Sequence, residues 1–502
     1  MRRTHLLAGV AVMLTTTAPA AAETLRGALV KAYNTNPTLA AERANVRAID
    51  ENVPIARSQG LPGVNLTSGY TENVLDSAPS ITSPDRQLTA ATTLSLPVFN
   101  GGAVKNSVRA AETRVDAGQL NLRGTEADLF TNVVGAYMDV IRDEAIVSLN
   151  EQNVKVLDVN LQASKDRFQV GDLTRTDVAQ SDARLAVARS QLQSAQARLI
   201  SSRESYIRLV GTPPGELEVP PELPNLPADP NAAVDVALKN NPTLLAAQKS
   251  RDAAGFDIDV ARAGRLPRVS VNVGGNYYNY LESVGTVVGL PNSGSAGTVG
   301  VGVTVPLFQG GRPAAQVRQA QERRAQANEQ VTETERGVIS EARSAYAVWK
   351  SSLEVIASSE VAVNANKLSL EGVRAENSVG NRTILDILNA EQELLNSQVT
   401  LVTSRRDAYV AGFALLAAMG EAEARDLGLD GGPLYDPVAN YKRVRHNIWD
   451  FASQPDPAQT GTSTASTPAQ GSVVTRPLDP ILDAPVEPAV DTGAANPAGG
   501  VK

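Results

Sequence analysis

The 502-residue chain has no cysteine. That excludes a disulfide framework, a thiol nucleophile and a lipid-modified cysteine at a processing site. Aromatic residues make up only 4%, little for a compact globular core of this length. Histidine is confined to His5 and His446, so neither a zinc cluster nor a histidine-based catalytic dyad is expected in the folded body. After the N-terminus no stretch reaches the roughly twenty apolar residues of a membrane-spanning helix. Proline is missing between Pro97 and Pro213 and again between Pro313 and Pro433. The formal charge of −8 makes nucleic acid a poor candidate partner. Gly300-Val301-Gly302 lies in a strand-like pattern with no helix after it, which excludes a dinucleotide loop. Acids at helical spacing, such as Asp139 and Asp143, read as solvated faces rather than a catalytic pair. These absences argue against an enzyme, and no cofactor or metal is expected.

Arg2, Arg3 and His5 precede the apolar run Leu6 to Leu14, and Ala20-Ala21-Ala22 follows. This is the pattern of a secretory leader, residues 1–22, cut before Glu23. A membrane anchor is the alternative, but the run is too short to span a bilayer. An exported chain of this kind is either soluble in the periplasm or crosses a membrane as a barrel.

The chain reads as if written twice. Asn36-Pro37-Thr38-Leu39 returns as Asn241-Pro242-Thr243-Leu244, and Leu61-Pro62 as Leu266-Pro267. Leu96-Pro97-Val98-Phe99-Asn100-Gly101-Gly102 returns as Val305-Pro306-Leu307-Phe308-Gln309-Gly310-Gly311. Val170-Gly171 returns as Val379-Gly380, and Gly211 as Gly420. Near-constant spacing over such a length predicts an internal two-fold repeat, residues 23–211 and 232–420, joined by a proline-rich linker at 212–231.

Proline breaks helix interiors, so the two proline-free stretches permit very long helices. Within them the strong turn signals are Val170-Gly171-Asp172-Leu173-Thr174 and Val379-Gly380-Asn381-Arg382-Thr383, each a glycine stop followed by a threonine cap. The pattern predicts long helices over about 103–169 and 313–378, and shorter partners over about 174–210 and 383–419. Glycines at 118, 124 and 135 weaken the case for unbroken helix there. At 1.5 Å per residue the long helices would measure roughly 100 Å. A C-terminal segment, 421–450, follows. From 451 to 502 the chain is rich in Pro, Ala, Thr and Gly and is expected to be disordered.

Four segments alternate apolar with small or polar residues: about 63–73, 87–98, 268–281 and 297–308. Val64, Leu66 and Tyr70 share one parity in the first, and Val299, Val301 and Val303 in the last. Short segments of this kind are the mark of membrane β-barrel strands. Tyr70, Tyr277, Tyr278 and Tyr280, with Phe99 and Phe308, fall near strand ends, where an interfacial girdle is expected. A soluble sheet with one buried face is the alternative. Four strands cannot close a barrel, and open edges in lipid cost several kcal/mol per unpaired group, so chains must pool strands. Eight would fill the interior with side chains, whereas twelve, from three chains, begin to leave a passage.

The duplicated Asn-Pro-Thr-Leu, the Pro-Val/Leu-Phe-x-Gly-Gly before each long helix and the two Val-Gly-x-x-Thr turns resemble the TolC-type outer-membrane efflux family over residues 24 to 425. The resemblance implies a mainly α protein with membrane β structure. It would be a homotrimer sharing a twelve-stranded outer-membrane barrel, four strands per chain, on a long-helix coiled-coil tunnel in the periplasm. It further implies an exit duct for type I secretion or multidrug efflux, joined by a periplasmic adaptor to an inner-membrane ABC or RND-type transporter. Tyr435 to Trp449 resembles tails of secretion-type members.

The resemblance also implies working residues at the helix-turn tips. A gate would be held by Arg382 and Asp177, with Asn377 standing where the family has Tyr. Asp386 and Asn389 would line the narrowest point, the second replacing a family Asp. Read from the residues alone, Thr174 with Asp177 and Thr383 with Asp386 are spaced as helix caps. A coiled-coil spacer without a channel is the rival function, and membrane fractionation discriminates the two.

Overall fold

A computed structural model describes residues 22–75, 84–283, 291–429 and 433–483. Save for Ala22, the expected leader lies outside the described residues, as does the chain beyond 483.

Three helices, α1 (Leu25–Thr35), α2 (Pro37–Asp50) and α3 (Asn52–Ser58), lead into β1 (Gly63–Glu72) and β2 (Arg86–Phe99). Then come α4 (Ala103–Gln169) and α5 (Arg175–Val210). The same order follows with α6 (Pro230–Asn240), α7 (Pro242–Ala263), β3 (Arg268–Asn279), β4 (Ser293–Thr304), α8 (Arg312–Ser378) and α9 (Ile384–Met419). A short α10 (Pro437–Val444) comes after α9. The long helices α4 and α8 have 67 residues each, and α5 and α9 have 36 each.

The strand-to-helix corners explain one sequence motif. Gly101 and Gly102 have φ of 66° and 82°, and Gly310 and Gly311 have 59° and 79°. Two successive left-handed residues turn the chain sharply out of the sheet, and glycine alone adopts them without strain. The interior glycines do not break α4. A Cβ on Gly118 would lie 3.0 Å from Ile49 Cδ1, so glycine there lets α2 approach closely.

The scarce aromatics are concentrated. Phe130, Tyr137, Tyr206 and Phe413 are the largest fully buried side chains. They meet Leu39, Val133, Val134 and Val210 where α1, α2, α4, α5 and α9 converge. Toward the tips the core thins to Leu157, Leu161, Leu185, Ala188 and Leu388 between α4, α5 and α9. Asp139 and Asp143 depart from the solvated face expected of them. Asp143 is buried and holds Arg142 and the Ser202 hydroxyl, while Asp139 takes Arg142 and Arg406, each at 2.8 Å. The two acids tie α4 to α5 and α9, because a helix enclosed on several sides has no solvated face to offer.

The strands form one antiparallel sheet in the order β1-β2-β3-β4. Register places Val64, Leu94, Val273 and Val299 in one row across it, and Leu96, Val271 and Val301 in the next. The opposite face carries Asn65, Thr93, Gly274 and Thr298. On the apolar face the edge strands stand exposed, Leu66 at 72% and Val299 at 79%, while Leu94, Leu96 and Val271 of the inner strands are half-buried.

One strand expectation needs correction, and one aromatic residue is placed by parity. The last strand ends at Thr304, not near 308. Thr304 pairs with Arg268, the first residue of β3, so Val305 onward has no partner in that register, and Pro306 lacks an N–H to donate. Tyr278 does not join Tyr70 and Tyr277 on the apolar face, since it pairs with Thr89 and Gly294 on the polar one. Neighbouring residues of a strand point to opposite sides.

The tail also differs from expectation. Residues 451–483 contain neither helix nor strand, yet they are tied to the helical body. Arg203 donates to the carbonyls of Gly471 (2.7 Å) and Val473 (3.0 Å), and Arg405 pairs with Asp479 at 2.9 Å. Gln398 Nε2 donates to Leu482 O at 2.6 Å, and Leu482 itself is buried with Leu149, Leu370, Leu394 and Leu395. Composition measures what a segment can bury within itself, whereas this one uses a groove made by other helices.

Candidate functional site

The candidate site is the pair of helix turns at the far end from the sheet. At the first, Val170 ends α4, Gly171 has φ of 89° and Thr174 caps α5. Thr174 Oγ1 accepts from the Asp177 amide, and Asp177 Oδ2 accepts from the Thr174 amide (2.9 Å) and hydroxyl (2.7 Å). The second turn repeats this around Thr383 and Asp386, at 2.9 and 2.8 Å. Both are reciprocal capping boxes. The Thr174 hydroxyl and amide hold Asp177 below the usual carboxylate range, and the Thr383 amide and hydroxyl do the same for Asp386. Both acids therefore stay charged at neutral pH.

Within one chain the residues of the expected gate do not meet. Arg382 Nε pairs with Glu376 at 2.7 Å, both half exposed, rather than with Asp177. That contact raises the Arg382 pKa further and relieves a cation at a helix N-terminus, where the dipole disfavours it. Asn377 Nδ2 donates to the Arg382 carbonyl at 2.7 Å, closing the turn from within. Asn389 Oδ1 accepts from Arg184 Nη2 of α5 at 2.8 Å.

Above the turns lies a polar knot that no sequence motif marked. Glu391 of α9 is buried and accepts from Asn160 of α4 (3.0 and 3.1 Å) and from Arg374 of α8 (3.2 Å). Burial raises its pKa against the opposing effects of Asn160 and Arg374. Three helices are thereby bound at one carboxylate. Arg184, Asn160 and Arg374 sit on different helices, so their meeting depends on how those helices pack. Glu391 carried one usable signal, an acid two residues past Asn389 on the packed face of α9.

The arrangement presents charged groups at the helix ends, and the two threonine hydroxyls that touch carboxylates are engaged as helix caps. Among the described residues no group of three or more His, Asp or Glu is placed to hold a metal ion, and no helix is long and apolar enough to cross a membrane.

Comparison with known proteins places this architecture. The chain is 35% identical over 437 residues to the outer membrane efflux protein BepC of Brucella suis, covering 87% of this chain and 93% of that one. It is 28% identical to the outer membrane protein TolC of Escherichia coli, over 83% of this chain and 86% of that one. The solved structure of the outer membrane protein VceC of Vibrio cholerae superposes with a TM-score of 0.68 at 23% identity, covering 79% of this chain and 96% of that one. The sequence profile of one family matches twice, over residues 28–212 and 233–421. With long tip-turned helices, an exposed apolar sheet face and this double match, the chain belongs to the outer membrane efflux protein family, whose members are outer-membrane channels.

Proposed function

We propose that three copies of this chain form a passive exit duct, without catalysis, for type I protein secretion, multidrug efflux or both. The observation that carries the reading is the four-stranded sheet. Within one chain β1 and β4 pair on one side only, while Val64, Leu66, Val299 and Val301 lie exposed on one face. A sheet in lipid must close on itself because unpaired edge groups have no water to satisfy them. Pairing β4 of one copy with β1 of the next closes the barrel at twelve strands and leaves the polar face inward. The relatives named for efflux and outer-membrane residence support the same reading.

The duct would continue through the periplasm as a tunnel of long helices. A periplasmic adaptor would join it to an ABC or RND-type transporter in the inner membrane, which supplies the energy and selects the cargo. The matching lengths of α4 with α8 and α5 with α9 favour an internal duplication, each half supplying two strands and one long helix. Asp177, Arg382 and Asn377 at the turns are the proposed gate, and Asp386 with Asn389 the constriction. Detergent extraction of outer membranes should yield a heat-modifiable trimer. Recovery of a soluble periplasmic monomer would reject the duct.

A further inference from the structure

Asn389 does not stand as a neutral substitute for a carboxylate, because its side-chain oxygen holds the Arg184 guanidinium at 2.8 Å. Asp386 precedes Asn389 by three residues on α9, so the two side chains are neighbours on one helix face. A cation from α5 is therefore held at a residue one helical turn along α9 from Asp386. Arg382 also acts on that carboxylate, but its charge is shared with Glu376. Asp182, two residues before Arg184 on α5, lies off its helix face, and three further acids at this end have other cations or donors. Asp177 is held by Thr174, Glu391 by Arg374 and Asn160, and Glu376 by Arg382. Arg184, by contrast, is bound through a neutral carbonyl oxygen and keeps its net charge at this contact.

We propose that Arg184 is a selectivity-determining residue of the constriction, its guanidinium offsetting the Asp386 carboxylate so that the narrow end admits anions as well as cations. This rests on the reading of Asp386 and Asn389 as the narrowest ring. With three copies, three guanidinium groups face three carboxylates and the local charge is close to balanced. A ring of acids alone would bias the pore to cations. A unit charge about 10 Å from a passing ion, in a partly aqueous passage, changes its partition by about threefold.

The test is the reversal potential of the purified full-length protein in planar bilayers under a KCl gradient, with R184Q, R184K and D386N beside the native protein. R184Q is expected to raise the potassium-to-chloride permeability ratio by about tenfold or more, because each lost cation favours potassium and disfavours chloride by about threefold apiece. R184K, which keeps the charge, should stay near the native ratio, and D386N should lower it. A native ratio in R184Q with a shifted D386N overturns the role of Arg184 and leaves the constriction in place. Native ratios in both R184Q and D386N overturn the constriction reading and the proposal with it. An R184K ratio matching R184Q also overturns the proposal, because the effect would then follow packing and not charge.

Discussion

Asn36 Nδ2 donates to the carbonyl of Leu209 at 2.9 Å, across 173 residues of sequence. Its Oδ1 meanwhile caps α2, accepting from the amides of Thr38 and Leu39. Asn241 does the same at α7, donating to Ala418 O at 3.0 Å and accepting from Thr243 and Leu244. Each asparagine starts one helix and satisfies a carbonyl in the last turn of another, so α2 is stacked end to end on α5 and α7 on α9. Proline follows because the first helical position needs no N–H donor.

Replacing Asn36 or Asn241 by alanine removes a cap, about 1 kcal/mol, and strips a buried carbonyl of its partner, about 1–3 kcal/mol. The expected loss is about 2–4 kcal/mol at either site. Asp in the same place keeps the cap and loses the donor, so Asn36→Asp should also destabilise. Thermal melting of the detergent-solubilised protein measures both. An aspartate variant as stable as the native protein would show that the bond to Leu209 contributes nothing.

Glu126 gives the body a pH dependence. Burial, with Glu423 nearby, pushes its pKa up to about 7, against the bond it accepts from the Ala424 amide at 2.6 Å. Its folded pKa lies above the unfolded value, so its favourable contribution is full below the ordinary glutamate range and disappears as pH rises through about 7. The swing is about 3 kcal/mol. Glu126→Gln should flatten this part of the stability profile and raise stability at pH 8. Equal pH slopes for variant and native protein between pH 5 and 8 would contradict the assignment.

The tail contact predicts local protection, not global stability. Leu482 packs against the helices from a segment that contributes no helix or strand of its own. Leu482→Asp or removal of residues 477–502 should raise protease sensitivity and amide exchange along the strap, and over α9 near Gln398. The main melting transition should move by no more than a few degrees, because segments held by few apolar contacts open on their own. Unchanged exchange at Gln398 and its neighbours would mean the strap does not cover this groove in solution.

At the tips, Arg382→Ser or Asp177→Ala should loosen the closed end and raise single-channel conductance in planar bilayers. Native conductance in both would reject the gate. Asp177→Ala also removes a capping box, so Asp182→Ala, on the same helix beyond the cap, serves as the control. Asp386→Ala should weaken block by divalent cations, and an identical blocking curve would count against a carboxylate ring.

Much of the architecture was local in origin and therefore legible. Proline excludes itself from helix interiors, so its absence between 97 and 213 and between 313 and 433 outlined α4, α5, α8 and α9. Alternation revealed which strand face is apolar, since residues two apart share a side. The threonine caps were readable because their acid lies three residues away on the same turn. Tyr278 sits near the end of β3 as expected, and parity puts it on the polar face.

What the sequence determined by itself is everything set within a few residues: helix span, turn, cap and strand face. Only the tertiary structure decided which residues meet across helices. Arg184 found Asn389, Asp143 became buried, and Leu482 settled in a groove it does not itself form. Such meetings depend on the rotation and axial offset of helices about 100 Å long. A shift of one residue along a helix turns a side chain by about 100°, and periodicity alone leaves that offset open.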